Sequence, residues 1–251
     1  PGEVLLGLAV SGGGSRSAYF FSCAMDELSR IPVSQGSPRS YADEVDYISS
    51  VSGGSLASAY FCYKRYPPEG KKADAVFFPE FKKAMSYNFE KDALIRYTLG
   101  GSWTFDFLTY YDRGDLMSSI WDKVFFDNAT FEDLHEAQRR GAPILLVNGT
   151  ILNNGLKFVF STVPDPQLNC SEYFADIRKS MFITHSTTQS DVPFQTMGFS
   201  SIDSDIRPYR LTKAVVASAA VPALLGPVTL KDYTRKDRLI HIVDGGVYDN
   251  Y

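Results

Sequence analysis

Apolar residues fall in short blocks whose spacing changes along the chain. Val4 to Val10 is a continuous apolar run, which predicts a strand buried on both faces. From Ser17 to Ile31 the apolar positions take helical spacing, and Pro32 ends that helix. Ser34 to Ser40 is a loop rich in Ser, Gly and Pro. Val45 to Val51 predicts a second strand and Leu56 to Tyr66 a second helix, stopped by Pro67 and Pro68. Strand, glycine-rich turn and helix, twice in succession, imply parallel strands joined by helical crossovers.

The rhythm then breaks. Lys71 to Gln138 is rich in aromatic and charged residues without a strand pattern, and reads as a helical or irregular excursion from the sheet. Pro143 to Leu152 and Gly155 to Thr162 alternate like strands around Asn153-Asn154-Gly155, which predicts a hairpin. The longest apolar run, Ala214 to Leu230, is broken by Pro222, Gly226 and Pro227 and is short for a membrane span. It reads as a buried helix (Leu211 to Leu225), a turn and a strand. Leu239 to Val243 is a last strand, leading into Asp244-Gly245-Gly246. No internal repeat or low-complexity linker interrupts this order.

Composition adds limits. The chain has 251 residues, 44% hydrophobic and 22% charged, which is ordinary for a globular protein with a sizeable core. A net charge of −4 argues against nucleic acid as a partner. Cys23, Cys62 and Cys170 make neither a disulfide framework nor a zinc site. The first two sit in helical apolar segments and read as buried free thiols. No cluster of metal ligands is apparent, so neither a metal nor a cofactor is expected. Asn128, Asn148 and Asn169 match the glycosylation sequon, and Asn148 lies in a strand-like run where the match is expected by chance. The compartment stays open. No signal peptide is visible, and because the chain begins at Pro1, a missing leader would make it secreted or periplasmic.

The second strand ends in Ser50-Val51-Ser52-Gly53-Gly54, an approximation of the nucleophile elbow G-x-S-x-G. That turn lifts the serine oxygen above the sheet edge at the N-terminus of the next helix. The positions two before and two after the serine must be small because their backbones crowd. Ser50 and Gly54 meet that need. The plain alternative is a glycine turn capped by a serine.

The first strand ends in Gly12-Gly13-Gly14. Acyl transfer from an ester builds negative charge on the former carbonyl oxygen, and losing one fixed donor to such an oxygen costs about 3–4 kcal/mol in a related case. Glycine amides can close on that oxygen, the following helix adds its positive end, and the Gly53 N–H is a further donor. A dinucleotide loop fits less well, since Gly12-x-Gly14-x-x-Ser17 lacks the third glycine and the acidic residue about twenty positions on. A phosphate-binding P-loop lacks its Gly-Lys-Ser/Thr. A purely structural tight turn stays open.

Ser52 needs a base. His135 lies in a charged helical stretch, His185 in a polar loop, and His241 three positions before Asp244 on the last strand. Strand alternation turns His241 and Asp244 to opposite faces. Asp244, in an apolar cleft, would have its pKa raised from about 3.9 toward a more useful base. A Ser52–Asp244 dyad is therefore chemically workable, beside a triad using His185 and beside Asp244 as a mere turn or helix-cap residue.

Together these segments resemble the patatin-like phospholipases. The matching residues are Gly12-Gly13-Gly14-Ser15-Arg16, Ser50-Val51-Ser52-Gly53-Gly54 and Asp244-Gly245-Gly246, in the family's order, with Ala217 to Pro222 as a further family-like segment. Ser11, where patatins usually carry Asp, also resembles the related cytosolic phospholipases. The likeness runs from Val4 to Asn250. It implies a three-layer α/β/α sandwich with a mostly parallel central sheet, and a Ser-Asp dyad that hydrolyses acyl esters of lipids. It makes Ser52 the nucleophile, Asp244 the base, Gly13 and Gly14 the oxyanion donors and Gly12 a shaper of the loop. Arg16 matches the family's basic position, steadying the loop or meeting a phosphate. Ser17 and Ser50 stand where the family pattern has glycine. The chain ends seven residues after Asp244, earlier than the family usually does, so a C-terminal part beyond Tyr251 is expected.

The expected organisation is a single domain over 1–251 with an aromatic-rich insertion at about 71–138. Trp103, Phe105, Phe107, Tyr110, Tyr111, Trp121, Phe125 and Phe126 would serve a lipid surface or form the core of that insertion. Lys64 to Arg96 holds eight basic and five acidic residues, a local surplus that would favour anionic head groups or be a solvated helical face. The expected partners are a lipid ester or phospholipid and a peripheral membrane surface, with the oligomeric state open. The alternatives are a lipid-binding module that has lost activity, suggested by Ser17 and Ser50, and a Ser-His esterase.

Overall fold

The computed structural model describes residues 4–87, 113–163, 196–222, 225–235 and 238–248. Strands β1 (Leu6–Val10), β2 (Val45–Ser50) and β3 (Ile144–Ile151) lie side by side and parallel. β4 (Lys157–Phe160) returns antiparallel to β3 through the predicted Asn-Asn-Gly hairpin. β5 (Val228–Asp232) and β6 (Arg238–Asp244) form an antiparallel pair, and β6 joins the sheet against β3. The result is one mixed six-stranded sheet flanked by helices, an α/β sandwich of the expected class.

The register on β3 places the site. Val147 pairs with Ser50 of β2 and with Phe160 of β4, so those two strands occupy opposite edges. Gly149 and Thr150 pair with Asp244 and Val243 of β6 and, on their other side, with Phe158 and Lys157 of β4. β6 therefore continues along the edge that β2 has just left. β2 is parallel to β3 and β6 antiparallel, so the two run toward each other. Their C-terminal ends meet beside Asn148.

β1 corrects one expectation. The apolar run predicted a strand buried on both faces, but β1 begins at Leu6, and Val4 and Leu5 are 87% and 70% exposed. Gly7 and Ala9 are also exposed, while Leu6, Leu8 and Val10 pack on the core. β1 ends the strand order, and among the described residues its Gly7 and Ala9 face is exposed.

Helix α1 (Gly14–Ser29) starts at the third glycine, earlier than its apolar spacing suggested. α2 (Gly53–Lys64) is buried along its first two turns, as a helix apolar on all sides must be. α3 (Asp74–Met85), α4 (Arg113–Trp121), a π-helical turn (Asp122–Phe126) and α5 (Phe131–Arg139) make the segment 71–138 helical where it is described. Its rings Phe77, Phe81, Trp121, Phe125 and Phe126 are buried. Tyr60 stacks on Phe81 at 5.4 Å, and Phe21 meets Phe61 edge-on at 6.1 Å. Those aromatics are core. Trp103, Phe105, Phe107, Tyr110 and Tyr111 lie outside the described residues.

Five of the eight basic residues of Lys64 to Arg96 make ion pairs, and Lys91 and Arg96 lie outside the described residues. Lys64 pairs with Asp127, Arg65 with Asp43 and Asp74, Lys71 with Asp43, Lys72 with Glu80 and Lys82 with Asp26. Arg65 is fully buried, so its two carboxylates answer a charge that would be costly alone. Arg65 is thus paired in the interior, and the other four are paired at the surface.

α6 (Leu211–Ser218) stops short of the expected Leu225, since Ala219 leaves helical geometry and Pro222 follows. Its small residues Ala214, Ala217 and Ser218 are fully buried, and the helix packs on β3 and β6. Cys62 is buried, which pushes its thiol pKa up, and Cys23 is half-buried. Asn148 is 5% exposed, so its sequon is a chance match; Cys170, Asn169 and His185 lie outside the described residues.

Candidate active site

The chain leaves β2 at Ser50 and enters α2 at Gly53, so the turn between them has room for two residues. Ser52 takes φ 55°, ψ −127°, a region that residues with a side chain rarely occupy and that costs about 1–3 kcal/mol. This strain lifts its hydroxyl off the sheet edge. The neighbouring glycines are required by contact. A Cβ on Gly53 would lie 2.0 Å from the Gly14 carbonyl oxygen, and one on Gly54 2.6 Å from the Ser11 carbonyl oxygen. The elbow is therefore pressed against the glycine loop that follows β1. Gly53→Ala should push the two apart, costing at least about 1–3 kcal/mol and lowering any esterase turnover far more than stability. Parallel thermal melts and activity assays check this.

The glycine loop presents donors. Gly13 and Gly14 have φ 138° and φ 59°, open to glycine and strained for other residues. A Cβ on Gly12 would sit 3.3 Å from the Ser52 Cβ, so the loop passes directly over the serine. Among the described residues, the amides of Gly13, Gly14 and Gly53 donate to no protein acceptor. Gly14 and Gly53 each begin a helix, whose first amides lack an intrahelical partner. The three amides are thus unspent, beside the Ser52 hydroxyl.

Asp244 ends β6 and arrives from the opposite direction. Its Oδ1 accepts the Gly246 N–H at 2.7 Å, so it does cap the short turn Gly245–Val247. The Ser52 hydroxyl lies near enough to the same carboxylate to lower its pKa. Burial drives the Asp244 pKa above the usual carboxylate value, and the Gly246 hydrogen bond and the nearby Ser52 hydroxyl only partly offset that. Thr150 Oγ1 donates to the Asp244 carbonyl at 2.9 Å and accepts the Tyr248 N–H at 3.0 Å, which anchors the turn on β3. The cap and the pairing with Ser52 coexist in one side chain.

The structure thus brings Ser52, Asp244, Gly12, Gly13, Gly14 and Gly53 to one point. Arg16 is different. It lies exposed in the first turn of α1 and makes no hydrogen bond or ion pair with another described residue. The two serines that stand for family glycines are accommodated. Ser17 Oγ donates to the Ser11 carbonyl at 2.6 Å and closes the loop from within. Ser50 is buried, donates to the Leu146 carbonyl at 3.3 Å and accepts from Ser55 at 3.1 Å.

His241 shares a 3.0 Å hydrogen bond with Thr229, and neither it nor His135 on α5 bonds Ser52. Sequence reasoning gave no role to Ser218 or Asn148, which lie beneath the elbow. Asn148 Nδ2 donates to the Ser50 carbonyl at 2.9 Å, at the junction of β2 and β6. Among the described residues no group of three or more metal-ligating side chains is present, and no helix is long and apolar enough to cross a membrane.

The sequence model of the family described as Patatin-like phospholipase matches residues 8–251. A comparison with curated proteins finds no match. Among solved structures, the chain is similar to the crystal structure of VipD from Legionella pneumophila, at 13% identity and a TM-score of 0.41. That likeness covers 98% of this chain and 46% of VipD, so the chain spans about half of VipD's length.

Proposed function

As the chain belongs to the patatin-like phospholipase family, we propose that it is a serine acyl hydrolase that cleaves acyl esters of lipids with a Ser52–Asp244 dyad. The observation that supports this reading is the meeting of β2 and β6 end to end on β3, which brings the ends of the strands that carry Ser52 and Asp244 together.

Ser52 Oγ attacks the ester carbonyl carbon while Asp244 takes its proton. The carbonyl oxygen gains the negative charge and is met by the amides of Gly13, Gly14 and Gly53. Collapse of the tetrahedral adduct breaks the ester bond, and the proton on Asp244 passes to the departing alcohol. Water then attacks the acyl-enzyme and gives a proton to Asp244. The second collapse releases the fatty acid and returns the proton to Ser52.

Lipid, as the substrate class, fits the rim. Val221 follows Ala220, whose carbonyl accepts the Asp244 N–H, Val247 lies three residues after Asp244, and the two are 43% and 53% exposed; Phe20, on α1 after the glycine loop, is 75% exposed. Exposed apolar side chains around a polar centre suit acyl chains and a peripheral membrane surface. Arg16, exposed in the first turn of α1, would meet an anionic head group. Because Ser17 and Ser50 are both hydrogen-bonded in place, nothing at those positions favours a disabled binding module.

The test is acyl release from phospholipid vesicles and from a p-nitrophenyl ester, as a function of pH. Only ionised Asp244 can accept the proton, and burial raises its pKa. kcat/KM should therefore rise with pH through a single acid limb centred above the ordinary carboxylate value of about 3.9. A rate with no such limb, or no acyl release from either substrate, would count against the dyad.

A further inference from the structure

We infer that the segment Ser218-Ala219-Ala220, at the C-terminal end of α6, is the element that positions the dyad, with Ser218 setting the geometry of Ser52. This rests on the dyad reading above. Two hydrogen bonds from one three-residue segment reach both partners. Ser218 Oγ accepts the Ser52 backbone N–H at 2.9 Å. The Ala220 carbonyl accepts the Asp244 N–H at 3.0 Å. Ser52 and Asp244 come from different strands that abut end to end, and β3 pairs with each of them separately. Among the described residues, the end of α6 is the place where one short stretch of chain grips both.

The chemistry of Ser218 explains why a hydroxyl is used. Ser52 lies beyond the end of β2, so its amide has no ladder partner, and its positive φ turns that amide toward α6. A side-chain oxygen with two lone pairs and one proton can take this N–H and still be satisfied. Ser218 donates its own proton to the Asn148 carbonyl at 2.6 Å and lies 3.0 Å from Ser55 Oγ. The same Asn148 carbonyl is where a Cβ on Gly245 would collide, at 2.5 Å. Ser218 is fully buried, with its proton and one lone pair both engaged. It touches neither substrate nor the reacting atoms, so it is a positioning residue. Its removal would orphan the Ser52 amide and release the strained turn.

Ser218→Ala should lower kcat by about 10²-fold with KM within a factor of about two, the signature of a small misplacement of a reacting group. It should also move the acid limb of kcat/KM to higher pH, because the Ser52 hydroxyl that lowers the Asp244 pKa would be displaced. Among the described residues that pKa is set by burial, the Gly246 N–H and the Ser52 hydroxyl, so the shift reports the Ser52 contact. Ser58→Ala, which removes a buried and unpartnered hydroxyl elsewhere on α2, should leave kcat and the limb unchanged. A Ser218→Ala protein that keeps wild-type kcat and limb would overturn the inference. So would a loss of activity that only tracks loss of folded protein with the limb unmoved. If Ser218→Ala does not fold, hydrogen exchange of the Ser52 amide in the wild-type protein decides. Protection like that of the α2 core amides supports the contact, and unprotected exchange refutes it. Wild-type Ser52 that resists fluorophosphonate would instead refute the dyad, leaving the exchange measurement to judge the strut alone.

Discussion

Ser52→Ala should reduce ester hydrolysis by at least about 10⁴-fold, the scale seen when a hydrolytic nucleophile is removed. The substitution deletes one oxygen and keeps the Cβ, so the backbone strain at φ 55° stays and the fold should survive. The melting temperature should therefore change little. Ser52→Gly separates the two effects. It removes the nucleophile and also relieves the strained conformation, so it should be equally inactive and at least as stable as the wild type. Matched melts and vesicle assays on the three proteins measure both quantities. A stability cost in Ser52→Gly would mean that the turn is not strained.

Asp244→Asn should cost turnover about 10³- to 10⁴-fold, because the amide cannot take the proton. The side chain still accepts from Gly246 through its carbonyl oxygen, so the cap persists. Stability should move the other way. The Asp244 pKa is raised in the folded state, mainly by burial. A raised carboxyl favours folding only while protonated, and that contribution is lost as pH rises through the folded pKa. At neutral pH the wild type thus carries a buried charge that Asn lacks, and Asp244→Asn should melt higher. The difference should shrink as pH falls toward the unfolded value of about 3.9. Melting curves at pH 7 and near pH 4 check the sign. A variant that melts lower at pH 7 would show that the ionised carboxylate is stabilising, against the direction given by its burial.

Much of this was legible in the chain itself, for local reasons. Gly12-Gly13-Gly14 and Ser52-Gly53-Gly54 each follow an apolar run and precede helical spacing, and a βα turn is built from neighbours in sequence. The hairpin after β3 announced itself through Asn153-Asn154-Gly155. What could not be read was sheet order. An apolar run says that a strand has a core face, not whether a second face is covered, and so the run predicted a strand buried on both faces where β1 is exposed on one. Nor does periodicity reveal that β6 enters antiparallel on the edge β2 vacates. Ser218 stayed hidden for the same reason: its partner amide is 166 residues away, and Ala217 to Pro222 matched only as a family-like segment with no role for its serine.

The most direct measurement is labelling of the folded wild-type protein with a fluorophosphonate, followed by mass spectrometry of the modified peptide. Phosphorus takes the place of the ester carbonyl carbon, so the reagent reports an activated oxygen without reference to any lipid. Covalent mass should appear on Ser52 alone, fall sharply in Asp244→Asn, and vanish in Ser52→Ala. Modification of another serine, or labelling of Ser52 at an undiminished rate in Asp244→Asn, would contradict the dyad.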